Sequence, residues 1–265
     1  MTHGAGQALA LDVRGVGKHF GGLRAIADLT FEVPEGRIVS LIGPNGAGKT
    51  TAFNIITGFL RPSTGRVLYR GIDLTRLPPA RIAELGVVRT FQRTSVFGAC
   101  SVAENVLTGL HLQGHSGAFG TLLGLRRVRH EEERMRSNVH DLLSFVGLER
   151  RAQELAANLA YGEQRLLGIA IALAAGPRLL LMDEPAAGLN PSETGAMMRL
   201  VEQIRTRGVT VLLVEHDMRM VMAISDTVVV LNHGRIIAEG PPGTIQADPE
   251  VIQAYLGQGR KHAAH

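Results

Sequence analysis

Eight consecutive residues constrain this chain more than any other feature: Gly43-Pro44-Asn45-Gly46-Ala47-Gly48-Lys49-Thr50. They fit the phosphate-binding pattern G-x-x-x-x-G-K-[ST]. Glycine reaches positive φ without steric cost, so backbone N–H groups can turn inward and approach phosphate oxygens closely. Residues 37–42 (RIVSLI) ahead of the loop read as a buried strand of a mostly parallel sheet. Residues 50–58 behind it read as a helix that Gly58 stops. A helix starting at the loop adds its positive end. On this reading Lys49 reaches the β- and γ-phosphates and the Thr50 hydroxyl ligates Mg²⁺. The bland alternative is a glycine turn beside a surface lysine. Background residue frequencies produce this pattern in roughly one chain in a hundred of this length, and the strand–loop–helix setting lowers that further.

The rest of the chain supports an α/β reading. Residues 9–14 and 25–34 read as strands, 65–73 as a hairpin and 78–85 as a short helix. Residues 131–145 form an amphipathic helix, with Met135, Val139, Leu142, Leu143 and Val146 on one side. Further buried strands are expected at 179–182, 209–214 and 227–231. Strands and helices alternate in the first and last thirds, while the middle third is mostly helical. That suggests an α/β ATPase core with an inserted helical subdomain. Residues 113–124, rich in Gly, read as an irregular insertion, and 258–265 as a frayed tail.

Composition excludes several classes. A chain of 265 residues with 45% hydrophobic content is not disordered. Its single cysteine, Cys100, rules out an intramolecular disulfide framework and any multi-Cys zinc site. The longest uncharged apolar run, 166–177, falls short of the about 20 residues a bilayer span needs. Asp12 and Arg14 interrupt the apolar stretch near the N-terminus, so no signal peptide is expected. A soluble, intracellular protein is the expectation. The net charge of +4 is compatible with phosphates, nucleic acid or an anionic surface. Aromatics are only 4%, without the arginine interleaving of a nucleic-acid platform.

Four further runs carry chemistry. Leu179-Leu180-Leu181-Met182-Asp183-Glu184-Pro185 is an apolar strand ending in two carboxylates. Asp183 would hold Mg²⁺, directly or through water, and Glu184 would polarise an attacking water; alone, the pair reads more readily as an acidic strand cap, and a P-loop in the same chain reverses that order. Leu159-Ala160-Tyr161-Gly162-Glu163-Gln164 opens an apolar helix whose N-terminus suits an anion. Leu213-Val214-Glu215-His216-Asp217 places a histidine at a strand end, and Gln92 follows Val88-Arg89-Thr90-Phe91. Each of these last three is weak in isolation.

Together, in this order, the five runs resemble the nucleotide-binding subunit of ATP-binding cassette (ABC) transporters, over about residues 9–256. The resemblance implies an α/β fold: a P-loop NTPase (RecA-like) core with an antiparallel β subdomain and an inserted α-helical subdomain. The core would comprise about 9–92 and 166–256, the helical subdomain 93–165, and 257–265 a flexible tail. It implies that Gly43, Pro44, Asn45, Gly46, Ala47, Gly48, Lys49, Thr50 and Thr51 form the Walker A loop that binds ATP. Phe20 sits where the family stacks an aromatic on adenine, a core phenylalanine being the alternative. Thr50, Gln92 and Asp183 would hold Mg²⁺. Glu184 would be the general base, His216 the switch histidine and Gln92 the Q-loop glutamine. Residues 187–190 would be the D-loop. Ala160, Tyr161, Gly162 and Glu163 would be the signature that acts on a partner's ATP.

With one P-loop and one signature, the resemblance implies pairing with a second ABC ATPase subunit, identical or different. It implies two transmembrane permease subunits, a solute-binding protein acting indirectly, and no nucleic acid. Residues 93–97 would wall the groove that receives the permeases. The chain would be peripheral on the cytoplasmic face of the membrane and soluble when alone. The runs around Gly43, Gln92, Gly162 and Asp183, with 238–256 and the insertion around 114–124, look like the branched-chain amino-acid importer ATPases. Urea and amide importers are close relatives. Ala160 and Tyr161 replace the usual Ser and first Gly of the signature, and Asn190 replaces the usual Asp of the D-loop. Rival classes fit less well. Repair ATPases split their motifs around a long coiled coil, whereas only residues 93–158 separate Gln92 from Leu159. Translation types carry two cassettes, GTPases carry an Asn-Lys-x-Asp motif absent here, lipopolysaccharide exporters keep a more standard signature, and a non-enzymatic switch would lack Glu184.

Overall fold

Three five-residue runs, Ile38–Ile42, Leu179–Asp183 and Thr210–Val214, are buried along their whole length. Such continuous burial is the mark of central parallel strands covered on both faces. The computed structural model describes residues 8–90, 96–110 and 126–259, and their side chains except those of 126–133 and 256–259. In chain order the first elements are β1 (Leu9–Phe20), β2 (Leu23–Pro34), β3 (Ile38–Ile42), α1 (Lys49–Ile56), β4 (Thr64–Tyr69), β5 (Ile72–Asp73), α2 (Pro79–Glu84) and β6 (Val87–Arg89). Next come α3 (Val102–Leu110), α4 (Arg126–Val146), α5 (Tyr161–Ala174), β7 (Leu179–Asp183), α6 (Pro191–Thr206) and β8 (Thr210–Val214). The chain continues through α7 (Met218–Ile224), β9 (Thr227–Asn232), β10 (Arg235–Gly240), α8 (Pro242–Ala247) and α9 (Pro249–Gly259). The described residues fall into two compact units, one drawn from Met1–Ile82 and Arg178–His265, the other from Ala83–Pro177.

In the first unit the strands run in the order β5-β4-β1-β2-β10-β9-β3-β8-β7. β3 pairs in parallel with β8 and β9, and β8 in parallel with β7. The C-terminal ends of β3, β8 and β7 therefore lie side by side, which is where open α/β sheets bind ligands. β1 pairs antiparallel with β2 and β4. β2 buries Leu29, Phe31 and Val33 while Thr30 faces outward, the alternation of a sheet with one wet face. Ile42, Val221, Val228, Val230, Ile245 and Val251 form one buried cluster, flanked by Met218, Met222, Ile237 and Tyr255. It anchors the C-terminal helices against the end of β3.

The elements differ from the sequence reading in instructive ways. β1 and β2 extend beyond 9–14 and 25–34 because they join through Gly21-Gly22 and stay paired to the tip, Phe20 opposite Leu23. The run Gly15-Val16-Gly17-Lys18 has no alternation to reveal this; its strand state comes from the ladder. β10 was not anticipated. His233 and Gly234, at φ 46° and 74°, fold it back on β9, since two consecutive positive φ values are what a tight hairpin needs. α4 begins at Arg126, ahead of the expected 131, and α9 continues to Gly259 inside the expected tail. The expected insertion at 113–124 lies outside the described residues.

In the second unit α5 packs against α3 and α4. α3 starts with a capping box: the Ser101 Oγ accepts the Glu104 N–H at 3.2 Å, and Glu104 Oε2 accepts the Ser101 N–H at 2.6 Å. Asn105 is fully buried and satisfied, donating to Phe97 O and Ser101 O and accepting the Phe97 N–H at 2.7 Å. Gly109 sets the helix spacing: a Cβ there would lie 2.3 Å from Ile171 O and 2.8 Å from Ala174 Cβ. Among the described residues no helix is long and apolar enough to cross a membrane. Gly109→Ala is expected to destabilise the chain by about 1–3 kcal/mol through overpacking. Urea unfolding checks this; an unchanged midpoint would show that the helices give way freely.

Candidate nucleotide site

The loop after β3 is shaped by what its backbone touches. Gly43 has φ 150°, and a Cβ there would fall 2.0 Å from Leu231 O on β9. Gly48, at φ 111°, opens α1 and would meet Ala25 O at 3.0 Å. The Ala47 N–H donates to Pro44 O at 3.1 Å, closing the loop. Ala47 O accepts the Gly234 N–H at 2.9 Å, and Gly234 O accepts the Ala27 N–H at 2.8 Å. The β9–β10 turn thus braces the loop against β2. No side chain caps the α1 N-terminus, and no acidic residue stands in its first turn. Its N–H groups and positive dipole end are available to an anion.

Lys49 is only 6% exposed, and its Nζ donates to Gly43 O at 2.7 Å and Pro44 O at 3.0 Å. Burial pulls its pKa down from the ordinary lysine value, opposed by the charges of Glu184 and Asp183. Asn45, Gly46 and Thr50 are exposed and Thr51 is half-buried.

The neighbouring strands supply the acids and the imidazole. Asp183 ends β7 and is 2% exposed. Glu184 follows at φ 49°, in the left-handed region that non-glycine residues rarely hold. Its N–H donates to Val214 O at 2.8 Å, extending the β7–β8 pairing by one residue. Its Oε1 lies 2.7 Å from His216 Nε2, with both side chains partly open to solvent. A lysine in a glycine loop, a buried aspartate and a carboxylate–imidazole pair therefore share one sheet edge. Among the described residues no group of three or more His, Cys, Asp or Glu side chains could hold a metal. A Mg²⁺ held by Thr50, Asp183 and phosphate oxygens needs no such cage.

The ABC transporter family model matches residues 26–187. The chain belongs to the ABC transporter family. A second model, the branched-chain amino acid ATP-binding cassette transporter segment, matches residues 235–261. The chain is 45% identical to the high-affinity branched-chain amino acid transport ATP-binding protein LivG of Escherichia coli, covering 94% of this chain and 98% of that protein. It is 43% identical to BraF of Pseudomonas aeruginosa, which bears the same description, over 94% and 98% of the two chains. Among solved structures it resembles a nucleotide-free ATP-binding cassette from an ABC transporter, with TM-score 0.82 and 32% identity over 93% of this chain and 98% of that one. An ADP-bound cassette matches with TM-score 0.82 and 32% identity, over 94% and 99%. The α/β P-loop NTPase fold of an ABC cassette is therefore this chain's fold.

Other residues expected in this ABC cassette divide by location. Phe20 is 45% exposed at the β1–β2 tip, so it is not a core phenylalanine. Lys18 Nζ lies 5.0 Å from its ring centroid, a cation–π distance. Gln92 and residues 93–95 lie outside the described residues. Ala160, Tyr161, Gly162 and Glu163 open α5 in the other unit. There Glu163 Oε2 accepts the Ala160 N–H at 3.0 Å, and the Tyr161 hydroxyl accepts from Arg165 at 2.6 Å. Ala160 carries no acceptor of its own, so no side chain caps the first turn of α5 from the N-cap position. Asn190 caps the next helix, as the usual Asp would also do. Its side chain accepts the N–H groups of Ser192 and Glu193 at 2.9 and 3.0 Å, while Glu193 accepts the Asn190 N–H at 2.9 Å. This is a capping box for α6, with Pro191 at its first position.

Sequence reasoning missed Tyr255 of α9. Burial pushes its pKa up to about 12, against a hydrogen bond with the Gly43 backbone. That bond joins the C-terminal helix to the first residue of the loop, and only an apolar pattern in 249–256 hinted at it. The lowered pKa of Lys49 sets a pH dependence. The free protein loses the Lys49 proton at a pH where a bound triphosphate would still hold it, so affinity falls as pH rises toward the ordinary lysine value. Calorimetric titration with Mg-ATP across alkaline pH is expected to show this decline, and a flat affinity would contradict it.

Proposed function

We propose that this chain is the ATP-hydrolysing subunit of an importer for branched-chain amino acids. The observation that carries hydrolysis is the Glu184–His216 pair, 2.7 Å apart at the sheet edge that also bears the Lys49 loop. The transport assignment is supported by the branched-chain segment matched at 235–261 and by the similarity to LivG and BraF. No observation favours a urea or amide importer over it.

The mechanism follows from positions. The triphosphate of ATP lies on the N–H groups of residues 43–50 and the α1 N-terminus. Lys49 Nζ leaves the carbonyls of Gly43 and Pro44 for the β- and γ-phosphates. Thr50, Asp183 and Gln92 are the residues that would hold Mg²⁺. When bound, that ion neutralises charge on the phosphate oxygens. Glu184 polarises the attacking water, and His216, sharing a hydrogen bond with Oε1, fixes the direction of the carboxylate. Phe20 offers its exposed face to adenine. The residues from Ala160 to Glu163 of a second ATPase subunit close over the γ-phosphate, so that two composite sites form. ATP-driven closure and reopening bias two transmembrane permeases between two states. The α-helical subdomain, taken as residues 93–165, meets those permeases and holds the chain peripherally on the cytoplasmic membrane face. A solute-binding protein acts only through the permeases.

Glu184→Gln is expected to lower turnover by at least about 100-fold while keeping ATP affinity, and to accumulate an ATP-bound dimer on size-exclusion chromatography with Mg-ATP. Normal turnover would remove Glu184 from its role. Lys49→Ala should lose ATP binding without unfolding, checked by calorimetry beside circular dichroism. In proteoliposomes holding the chain with its permeases and binding protein, ATP should drive uptake of labelled leucine. Uptake of urea without leucine would overturn the solute assignment.

A further inference from the structure

Glu215 is a carboxylate only 2% exposed, wedged between the end of β8 and His216. Its Oε1 accepts the Ala186 N–H at 2.7 Å. Its Oε2 accepts the His216 N–H at 2.8 Å and the Asp217 N–H at 3.2 Å. One side chain thus satisfies three backbone donors from two separate segments. An ionised carboxylate accepts at both oxygens, which a glutamine amide cannot do. A buried charge placed this way is strongly held by its donors.

The segments it joins are those of the carboxylate–imidazole pair. Glu184 sits in the left-handed region at φ 49°. A non-glycine residue stays there only where its surroundings over-determine it. Its N–H is held by Val214 O at 2.8 Å, and its carbonyl accepts the Ala187 N–H at 3.2 Å. Ala186, two residues on, is pinned to Glu215. On the other side, His216 and Asp217 are pinned to the same carboxylate. Asp217 in turn caps α7, accepting the N–H of Arg219 at 2.8 Å. The backbone that aims Glu184 and the backbone that aims His216 therefore share one anchor.

We infer that Glu215 is a positioning residue, tying the segment after Glu184 to the His216 backbone so that the 2.7 Å pair is preorganised for hydrolysis. The inference rests on the hydrolytic reading above. It adds a second consequence: Ala186 cannot shift without losing its hydrogen bond to the carboxylate that also holds the His216 N–H.

The test is Glu215→Gln in the assembled transporter and in the isolated chain. The amide keeps the volume but turns one acceptor into a donor facing an N–H group. The expected result is a kcat lower by about 10- to 100-fold, since a misplacement of about 1 Å at a reacting group costs about 100-fold. KM for ATP should stay near wild type, while the melting temperature falls because a buried N–H loses its acceptor. In the isolated chain, ¹⁵N NMR of the His216 imidazole should show the Nε2 hydrogen-bond signature lost. Adding Glu215→Gln to Glu184→Gln should slow turnover no further. Wild-type kcat would overturn the inference, and so would a kcat loss with an unchanged imidazole spectrum. If Glu215→Gln does not fold, Glu215→Asp, which keeps the charge but shortens its reach, takes its place with the same expected and contrary outcomes. Full turnover in Glu184→Gln alone would instead count against the hydrolytic reading, a result separate from either outcome for Glu215.

Discussion

The backbone of the glycine loop lies so close to β9 that no side chain fits between them. A Cβ at Gly43 would stand 2.0 Å from Leu231 O. Much of the site depends on that approach. It fixes the path from Ile42 into α1, leaves the α1 N–H groups facing outward, and brings Lys49 Nζ onto the carbonyls of Gly43 and Pro44. The contact also needs β9 beside β3, which is the neighbour the parallel pairing supplies. Strand order, loop glycines and lysine are thus parts of one packing solution.

Charge balances that geometry. Lys49 is buried enough for its ammonium to be disfavoured, yet the carboxylates of Asp183 and Glu184 draw its pKa back up. In this state the ammonium rests on two carbonyl dipoles, a modest arrangement that a triphosphate would outcompete with full negative charge. The carboxylate–imidazole pair stands at the ends of β7 and β8, held by backbone hydrogen bonds and a left-handed Glu184. Strain of that kind, of order 1–3 kcal/mol, is offset by the surrounding ladder. The reactive groups stand at the C-terminal ends of the central parallel strands.

The parts legible in the sequence share a physical reason. The loop was readable because positive φ demands glycine and phosphate demands lysine, at fixed spacing. β3, β7 and β8 were readable because strands buried on both faces are apolar throughout. Asp183 and Glu184 stood out by ending such a strand. What escaped depends on partners distant in sequence. β10 (RIIAEG) is only half-buried and shows no clean alternation; its pairing depends on the turn at His233 and Gly234. Glu215 looked like a neighbour of a histidine, because its three donors are backbone N–H groups that no residue type announces. Tyr255 belongs to the site only through its packing on the cluster that includes Ile42 and its bond to Gly43. Asn190 departs from the family pattern, and its capping of α6 does not explain the departure, because an aspartate would accept the same two N–H groups.

We propose that the loop from Gly43 to Thr50 receives the triphosphate by displacing Lys49 from its carbonyls, in front of Glu184 and His216. A crystal structure of the chain with Mg²⁺ and a non-hydrolysable ATP analogue measures this directly. The expected result is Lys49 Nζ on the β- and γ-phosphates, no longer on Gly43 O and Pro44 O, with the γ-phosphate facing the Glu184–His216 pair. A nucleotide bound away from the loop, or a Lys49 still seated on both carbonyls with the analogue in place, would contradict it.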